Sequence, residues 1–175
     1  MADVVRVLIE TELGEIEAKI EVERAPITAA NFLRYVDAGR YDGGRWHRTV
    51  LPDNQPNDAI KIEVIQGGTK PKRWRWNERP IPLERTSVTG LAHHDGTLSM
   101  SRFAPDSAVS DIFVCIGDQP DLDFGGLRNP DGQGFAAFGQ VTRGMDVVRA
   151  IQHAPHDGQR LTPPITIVRI RRIGA

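Results

Sequence analysis

The sequence predicts a mainly β fold: a closed eight-stranded antiparallel β-barrel capped by two α-helices. Segments in which apolar and polar residues alternate occur about eight times along the 175-residue chain, whereas only two stretches have helical periodicity. The strands do not alternate with helices, which argues against a parallel βαβ sheet. Closing an antiparallel sheet into a barrel removes its exposed edges. We expect residues 1–175 to form a single domain.

The first elements are a hairpin followed by a helix. Apolar residues at 5, 7 and 9 and, after a turn near Gly14, at 16, 18, 20 and 22 have the period of half-buried strands. The glutamates between the second set predict a solvated face. Pro26 suits the first turn of a helix, and an apolar stripe at 29, 32, 33 and 36 continues it until Gly39. The helix is therefore expected to pack its stripe on the sheet.

The later elements are shorter. Residues 45–50 look extended, 51–59 form a loop, and 60–66 alternate with Ile60, Ile62, Val64 and Gln66 on one face. The GGTKPK segment at 67–72 opens an irregular region that runs to about Gly90. Further extended segments are expected at 96–102, 111–117, 135–141 and 165–173, with a Gly/Asp/Pro-rich loop between the second and third of these. A second helix is predicted for 144–153, with Met145, Val148 and Ile151 on one side.

The composition narrows the possible functions. Lys and Arg number 22 against 23 for Asp and Glu, so the net charge of -1 gives no electrostatic case for binding nucleic acid or an anionic membrane. The first fifteen residues include acids early and lack a long apolar run, so we expect neither a signal peptide nor a transmembrane span. The single cysteine, Cys115, excludes an internal disulfide and a cysteine-based zinc cluster. The expectation is a monomeric cytoplasmic protein without a cofactor or metal.

Five motifs in register resemble the cyclophilin-type peptidyl-prolyl isomerases. They are WHR at 46–48, VIQGG at 64–68, GTLSMSR at 96–102, SDIFVCI at 110–116 and FAAFGQVTRGMDVV at 135–148. Any one of these motifs is weak evidence, but together they span nearly the whole chain. The resemblance implies an eight-stranded barrel with a helix closing each end. It also implies rotation of X-Pro peptide bonds, with proline-containing peptides and unfolded or folding proteins as partners.

The resemblance also implies a site. Arg48 matches the catalytic arginine that hydrogen-bonds the prolyl nitrogen, and Gln66 matches the glutamine that orients it. The residues that match or replace substrate-binding positions of the family are Val64, Ser101, Arg102, Phe113, Leu122 and Phe135.

Several positions depart from the family pattern. Val64 replaces a methionine, Asp111 a glutamine, Asp121 a tryptophan and Phe135 a histidine, and the 123–134 loop is longer than usual. Glu63 stands where a phenylalanine of the pocket is usual, which removes apolar wall unless the strand shifts its register. We therefore expect weaker or differently selective turnover than in a typical member.

Other residues have a structural and a functional interpretation. Strand alternation places Trp46 and Arg48 on one face and turns His47 into the barrel, where a buried histidine bonded to the backbone is expected. His93, His94 and Asp95 could suggest a metal, but adjacent strand histidines point to opposite sides.

Asp118, Asp121 and Asp123 lack the spacing of an EF-hand and predict a solvated loop. Residues 72–76, KRWRW, interleave bases and aromatics as single-strand binders do, yet a loop packed on the barrel is favoured. Cys115 and Met100 are expected to be buried.

Two alternatives to an isomerase remain open. A proline-peptide binding module would use the same groove with little turnover, as a holdase or assembly factor, and the changes at Glu63, Asp111 and Asp121 favour it. A ligand-binding barrel unrelated to proline is the third hypothesis. Comparison of the Arg48→Ala variant with the unchanged protein distinguishes the first two.

Overall fold

The computed structural model describes residues 4–71 and 78–174. Within these residues it contains nine strands and three helices. The strands are β1 (Val5–Thr11), β2 (Gly14–Ile20), β3 (Gly44–Val50), β4 (Val64–Gly68), β5 (Thr97–Met100), β6 (Ile112–Cys115), β7 (Ala137–Arg143), β8 (His156–Asp157) and β9 (Arg160–Ile173). The helices are α1 (Pro26–Asp37), α2 (Thr86–Thr89) and α3 (Met145–Gln152).

Eight of the strands form a closed antiparallel barrel. Their order is β1-β2-β7-β5-β6-β4-β3-β9, and a further pairing of β1 with β9 closes the sheet. The two-residue β8 pairs only with β9 and lies outside the barrel. The predicted eight-stranded barrel is therefore confirmed, with one short additional strand.

The predicted hairpin and both predicted helices are present. Strands β1 and β2 pair from Val5 opposite Ile20 to Thr11 opposite Gly14. The stripe on α1 is buried, as are Val148 and Ile151 on α3. These elements were predictable because each has a strict period of two or 3.6 along an uninterrupted segment.

Buried apolar side chains form two separate clusters. The larger one fills the barrel and continues beneath α1 and α3; it includes Trp46, Ile65, Met100 and Val114. The smaller one lies on the opposite face of the same strands and consists of Val50, Ile62, Val64, Phe113, Cys115 and Leu122, with Phe135 packed against it. Because side chains alternate along a strand, neighbours such as Val64 and Ile65 belong to different clusters. The smaller cluster forms the floor of the candidate site.

Two details differ from the sequence-based expectations, and a third expectation is untested. The strand predicted from Ile60 begins only at Val64, and the short helix α2 lies inside the region expected to be irregular. The KRWRW run at 72–76 lies outside the described residues. None of the helices in the described parts of the chain has the length and apolarity needed to cross a membrane.

Candidate functional site

A cavity of about 370 Å³ opens on the outer face of β4 and β6. All eight residues that the sequence singled out line it: Arg48, Val64, Gln66, Ser101, Arg102, Phe113, Leu122 and Phe135. A larger hollow of about 920 Å³ lies beside α1, but it is wide open to solvent. The smaller cavity combines an apolar floor with converging polar side chains, which is the usual character of a ligand site.

Arg48 reaches the cavity because of a bulge in β3. The register between β3 and β4 shifts at His47, so that Trp46 pairs with Gly67 and Arg48 with Gln66. Trp46 therefore enters the barrel core while Arg48 faces the cavity, and the expectation that they share a face is wrong. An inserted residue changes which face the following side chains occupy.

Two neutral amide oxygens hold the Arg48 guanidinium. Its Nη1 donates to Gln66 Oε1 at 2.9 Å, and its Nε donates to Gln159 Oε1 at 2.9 Å. Burial lowers the pKa of Arg48 from its ordinary value, and the charge of Arg128 lowers it further. The group still remains protonated at neutral pH, because a guanidinium does not lose its proton in proteins.

Gln66 is itself held by Asp111. The Nε2 of Gln66 donates to Asp111 Oδ2 at 3.3 Å, and His47 Nε2 lies 3.1 Å from the same oxygen. A Cβ at position 68 would lie 2.0 Å from Asp111 Oδ1, which is too close for a non-bonded contact, so Gly68 leaves the space that the Asp111 carboxylate occupies. His47 is not the buried, backbone-bonded residue that was expected: its side chain is 43% exposed and its partner is a carboxylate. The same bulge places it outside the barrel.

The floor and walls of the cavity are apolar. Phe113 and Phe135 meet edge to face with their ring centroids 5.6 Å apart. Val64 and Leu122 are almost fully buried beside them. The result is an aromatic-lined hollow, open on one side, next to the Arg48 guanidinium.

Glu63 does not point into this hollow. Its Oε1 accepts a hydrogen bond from Gln152 Nε2 at 3.1 Å, and Ile62 lines the cavity instead. The concern that Glu63 removes apolar wall is therefore resolved by the strand register. Asp121 lies in a 3₁₀ turn, Pro120–Leu122, and is not among the lining residues.

Ser101 and Arg102 form one rim, and the Arg102 side chain is fully engaged. It makes two hydrogen bonds to the Asp131 carboxylate, at 2.9 and 3.0 Å, and donates to the carbonyl of Gly134. Its guanidinium also lies 4.7 Å from the centroid of the Phe135 ring. Arg102 therefore fastens the 123–134 loop to the rim of the cavity.

A buried polar network lies directly beneath the floor. His93 Nδ1 is 2.7 Å from Asp123 Oδ1, and His93 Nε2 is 2.8 Å from Ser99 Oγ. The imidazole stacks on Phe113 with centroids 6.0 Å apart. Burial alone would raise the pKa of Asp123, but hydrogen bonds from His93 outweigh it and leave that pKa lowered. Asp123 is thus a structural partner of His93 and not simply part of a solvated loop.

Sequence reasoning missed five lining residues: Ile62, Phe103, Arg128, Asn129 and Pro130. Ile62 could have been found, because it shares the face of Val64 and Gln66. The others lie on irregular segments, where no periodicity shows which side chains turn inward. Gln159 was missed for the same reason.

Comparison with known proteins gives a consistent result. The family model described as "Cyclophilin type peptidyl-prolyl cis-trans isomerase/CLD" matches residues 6–172. A peptidyl-prolyl cis-trans isomerase of Acinetobacter baylyi is 36% identical over 146 residues, covering 83% of this chain and 70% of the relative. The isomerase cyp18 of Streptomyces antibioticus is 34% identical over 143 residues, covering 81% and 80%.

Solved structures match the fold. A cyclophilin-type isomerase of Cryptosporidium parvum superposes with a TM-score of 0.77 at 20% identity, and the match covers 99% of both chains. A second structure of that protein, in the presence of the dipeptide Ala-Pro, has a TM-score of 0.75 and covers 97% of this chain and 99% of the other.

Proposed function

Because the chain belongs to the family of cyclophilin-type peptidyl-prolyl cis-trans isomerases, we propose that it rotates X-Pro bonds by hydrogen-bonding the prolyl nitrogen with Arg48. The chain is an enzyme of the peptidyl-prolyl cis-trans isomerase class. Its substrates in this proposal are proline-containing segments of unfolded or folding polypeptides in the cytoplasm.

The reaction requires stabilisation of a twisted amide. Resonance across the peptide C–N bond gives a rotational barrier of roughly 18–20 kcal/mol. As the bond twists, the prolyl nitrogen becomes pyramidal and its lone pair can accept a hydrogen bond. A donor aimed at that nitrogen binds the twisted state more strongly than either planar state, and only such differential binding accelerates a reaction. No nucleophile, metal or proton transfer is required.

The observation that carries the proposal is the position of Arg48 beside an apolar hollow of the right chemistry. Phe113, Phe135 and Leu122 offer the surface that a proline ring would fill. The bonds from Arg48 to Gln66 and Gln159 fix the guanidinium before substrate arrives. A fixed donor in a partly dry site loses little in reorganisation, which makes it more effective than a mobile one.

The test compares Arg48→Ala with Arg45→Ala, an exposed arginine of the same strand, in a protease-free assay of X-Pro isomerisation. Removal of one preorganised donor is expected to lower kcat/KM by about 10²–10³-fold. Arg48→Lys should recover only part of this loss, because an ammonium lacks the planar fork of donors. The matched control should retain full activity.

Binding of the same peptides, measured separately, distinguishes the alternatives. An isomerase should bind them nearly as well after Arg48→Ala. A proline-peptide binding module would bind the peptides, but even the unchanged protein would not accelerate their isomerisation. Failure to bind any X-Pro peptide would overturn the proposal altogether and favour a ligand unrelated to proline.

A further inference from the structure

The cavity is lined by three arginines, Arg48, Arg102 and Arg128, and by no carboxylate within the described residues. The positive charges of these three arginines are compensated by carboxylates to different extents. Arg102 is paired with Asp131 in a two-bond contact and its side chain is only 1% exposed. Its charge is therefore largely neutralised by the loop that it fastens.

Arg48 and Arg128 are balanced less completely. Arg48 donates to the amide oxygens of Gln66 and Gln159, which carry no formal charge. Arg128 donates to Gln55 Oε1 and to the carbonyl of Ile60, and it forms an ion pair with Asp58 at 3.3 Å. Asp58 is 40% exposed, so water weakens its compensation. Two partly buried guanidinium groups thus share the charge of one partly solvated carboxylate, since Asp58 also raises the pKa of Arg48.

The electrostatic coupling of the two arginines supports the same conclusion. Burial is the main cause that lowers the pKa of Arg48, and the charge of Arg128 is the next. Two like charges repel more strongly in a partly buried site than in bulk water. An anion placed between them would relieve this repulsion.

Arg128 lies at a defined end of the cavity. It is bonded to Ile60 and to Gln55, which in turn holds the backbone of Ile62, so it lies beside the segment that precedes β4. Ser101 lies at the opposite end, where its N–H donates to the carbonyl of Asp111. A peptide that crosses Phe113 therefore has Ser101 on one side of the proline and Arg128 on the other.

We propose that the cavity selects X-Pro bonds in which the residue after the proline carries a carboxylate, with Arg128 as the residue that determines this specificity. The inference rests on the proposed function, which places the residue before proline at the Ser101 rim. The acidic side chain contacts the Arg128 end of the cavity and leaves Arg48 free to reach the prolyl nitrogen.

The experiment uses three peptides that differ only after proline, Ala-Ala-Pro-Glu, Ala-Ala-Pro-Gln and Ala-Ala-Pro-Lys, each capped at both ends. At low ionic strength, kcat/KM is expected to be about threefold to tenfold higher for Glu than for Gln, and lowest for Lys. The preference should shrink as salt is added, because screening weakens partly exposed charges.

Two variants change the preference in opposite directions. Arg128→Gln should abolish the discrimination between Glu and Gln. Asp58→Asn removes the competing carboxylate and should increase it, and this variant keeps the test decisive if Arg128→Gln fails to fold. Arg143→Gln is the control for net charge, since Arg143 is exposed and pairs with Glu17 at the end of β7.

The outcomes separate this inference from the proposed function. If none of the peptides is isomerised, the proposed function itself is wrong. If all three are isomerised at equal rates, the isomerase stands and the specificity does not. An unchanged preference in Asp58→Asn, or an equal loss in Arg143→Gln, would also overturn the role of Arg128.

Discussion

The catalytic arginine proposed here depends on a chain of side chains that ends at a carboxylate. Asp111 accepts hydrogen bonds from Gln66 and His47, and Gln66 in turn accepts one from Arg48. Because Asp111 accepts from the amide nitrogen of Gln66, it fixes the amide oxygen toward Arg48. A negative charge at one end of the chain thus determines the direction of each bond in it.

Removal of this carboxylate should therefore slow catalysis without weakening binding. We expect Asp111→Ala to lower kcat by about threefold to tenfold, with little change in KM. This factor corresponds to the free energy that one hydrogen bond typically contributes. Asp111→Asn should recover most of the rate, because its amide oxygen still accepts from Gln66. The control is Asp53→Ala at an exposed loop position. Equal losses in kcat and affinity would instead indicate a general disturbance of the groove.

His93 and His94 show how differently adjacent residues of one type can act. His93 is buried between Asp123 and Ser99, whereas the side chain of His94 is 67% exposed. Neither needs a metal to explain its position. The tautomer of His93 that fits has its Nδ1 proton donated to the Asp123 carboxylate, so that Nε2 accepts from the Ser99 hydroxyl.

Truncation of His93 should destabilise the fold strongly. His93→Ala leaves the buried Ser99 hydroxyl without its partner, removes one of the two hydrogen bonds that Asp123 accepts from His93, and opens a void beneath Phe113. We expect a loss of about 2–4 kcal/mol in the free energy of unfolding. His94→Ala should change it by less than about 0.5 kcal/mol, as is usual for an exposed side chain. Urea denaturation of both variants measures the difference. Similar values for the two would contradict the structural role assigned to His93.

Among the elements, β4 shows where local pattern and structure diverge. The alternation from Ile60 to Gln66 is regular, yet the strand begins at Val64. The buried Gln55 side chain accepts from the N–H of Ile62 and donates to its carbonyl, replacing the partners that a longer ladder would have supplied. Hydrogen bonds from a side chain to the backbone do not change the alternation of apolar and polar residues, so the sequence pattern did not predict this shortening of the strand. The turn residues of 51–59 predicted a loop but not its inward-pointing glutamine.

Gln55 should therefore control the shape of the segment that carries Ile62 into the cavity. Gln55→Ala is expected to cost about 1–3 kcal/mol of stability, because buried backbone groups of Leu51 and Ile62 lose their partner. It should also raise KM for proline peptides, since Ile62 lines the cavity. Asn57→Ala, an exposed position in the same loop, is the control. Thermal melts and peptide titrations measure the two effects, and a stable variant with unchanged KM would refute this account.

For the molecule as a whole, the closed eight-stranded antiparallel barrel was predictable, but the ninth strand and the site geometry were not. Eight alternating segments interrupted by only two helices leave few other ways to bury their apolar faces. The order in which distant strands pair follows from no local pattern, and the bulge at His47 reversed the expected positions of Trp46 and His47. The five motifs identified the lining residues of the regular strands correctly, whereas Arg128 and Asn129 could not be placed.

Cys115 offers a way to measure how the whole barrel opens. Its thiol is fully buried in the small cluster beneath the cavity, on a strand paired with β4 and β5 on either side. Burial raises the pKa of the Cys115 thiol well above its ordinary range, so the reactive thiolate is not formed in the folded state. Labelling by a thiol reagent at pH 8 should therefore require an opened molecule. We expect the labelling rate to increase with urea as steeply as global unfolding does, because β6 is hydrogen-bonded to a neighbouring strand on each side. A rate that is independent of urea and is slowed by a saturating proline peptide would instead show that the cavity floor opens locally, while the rest of the barrel stays closed.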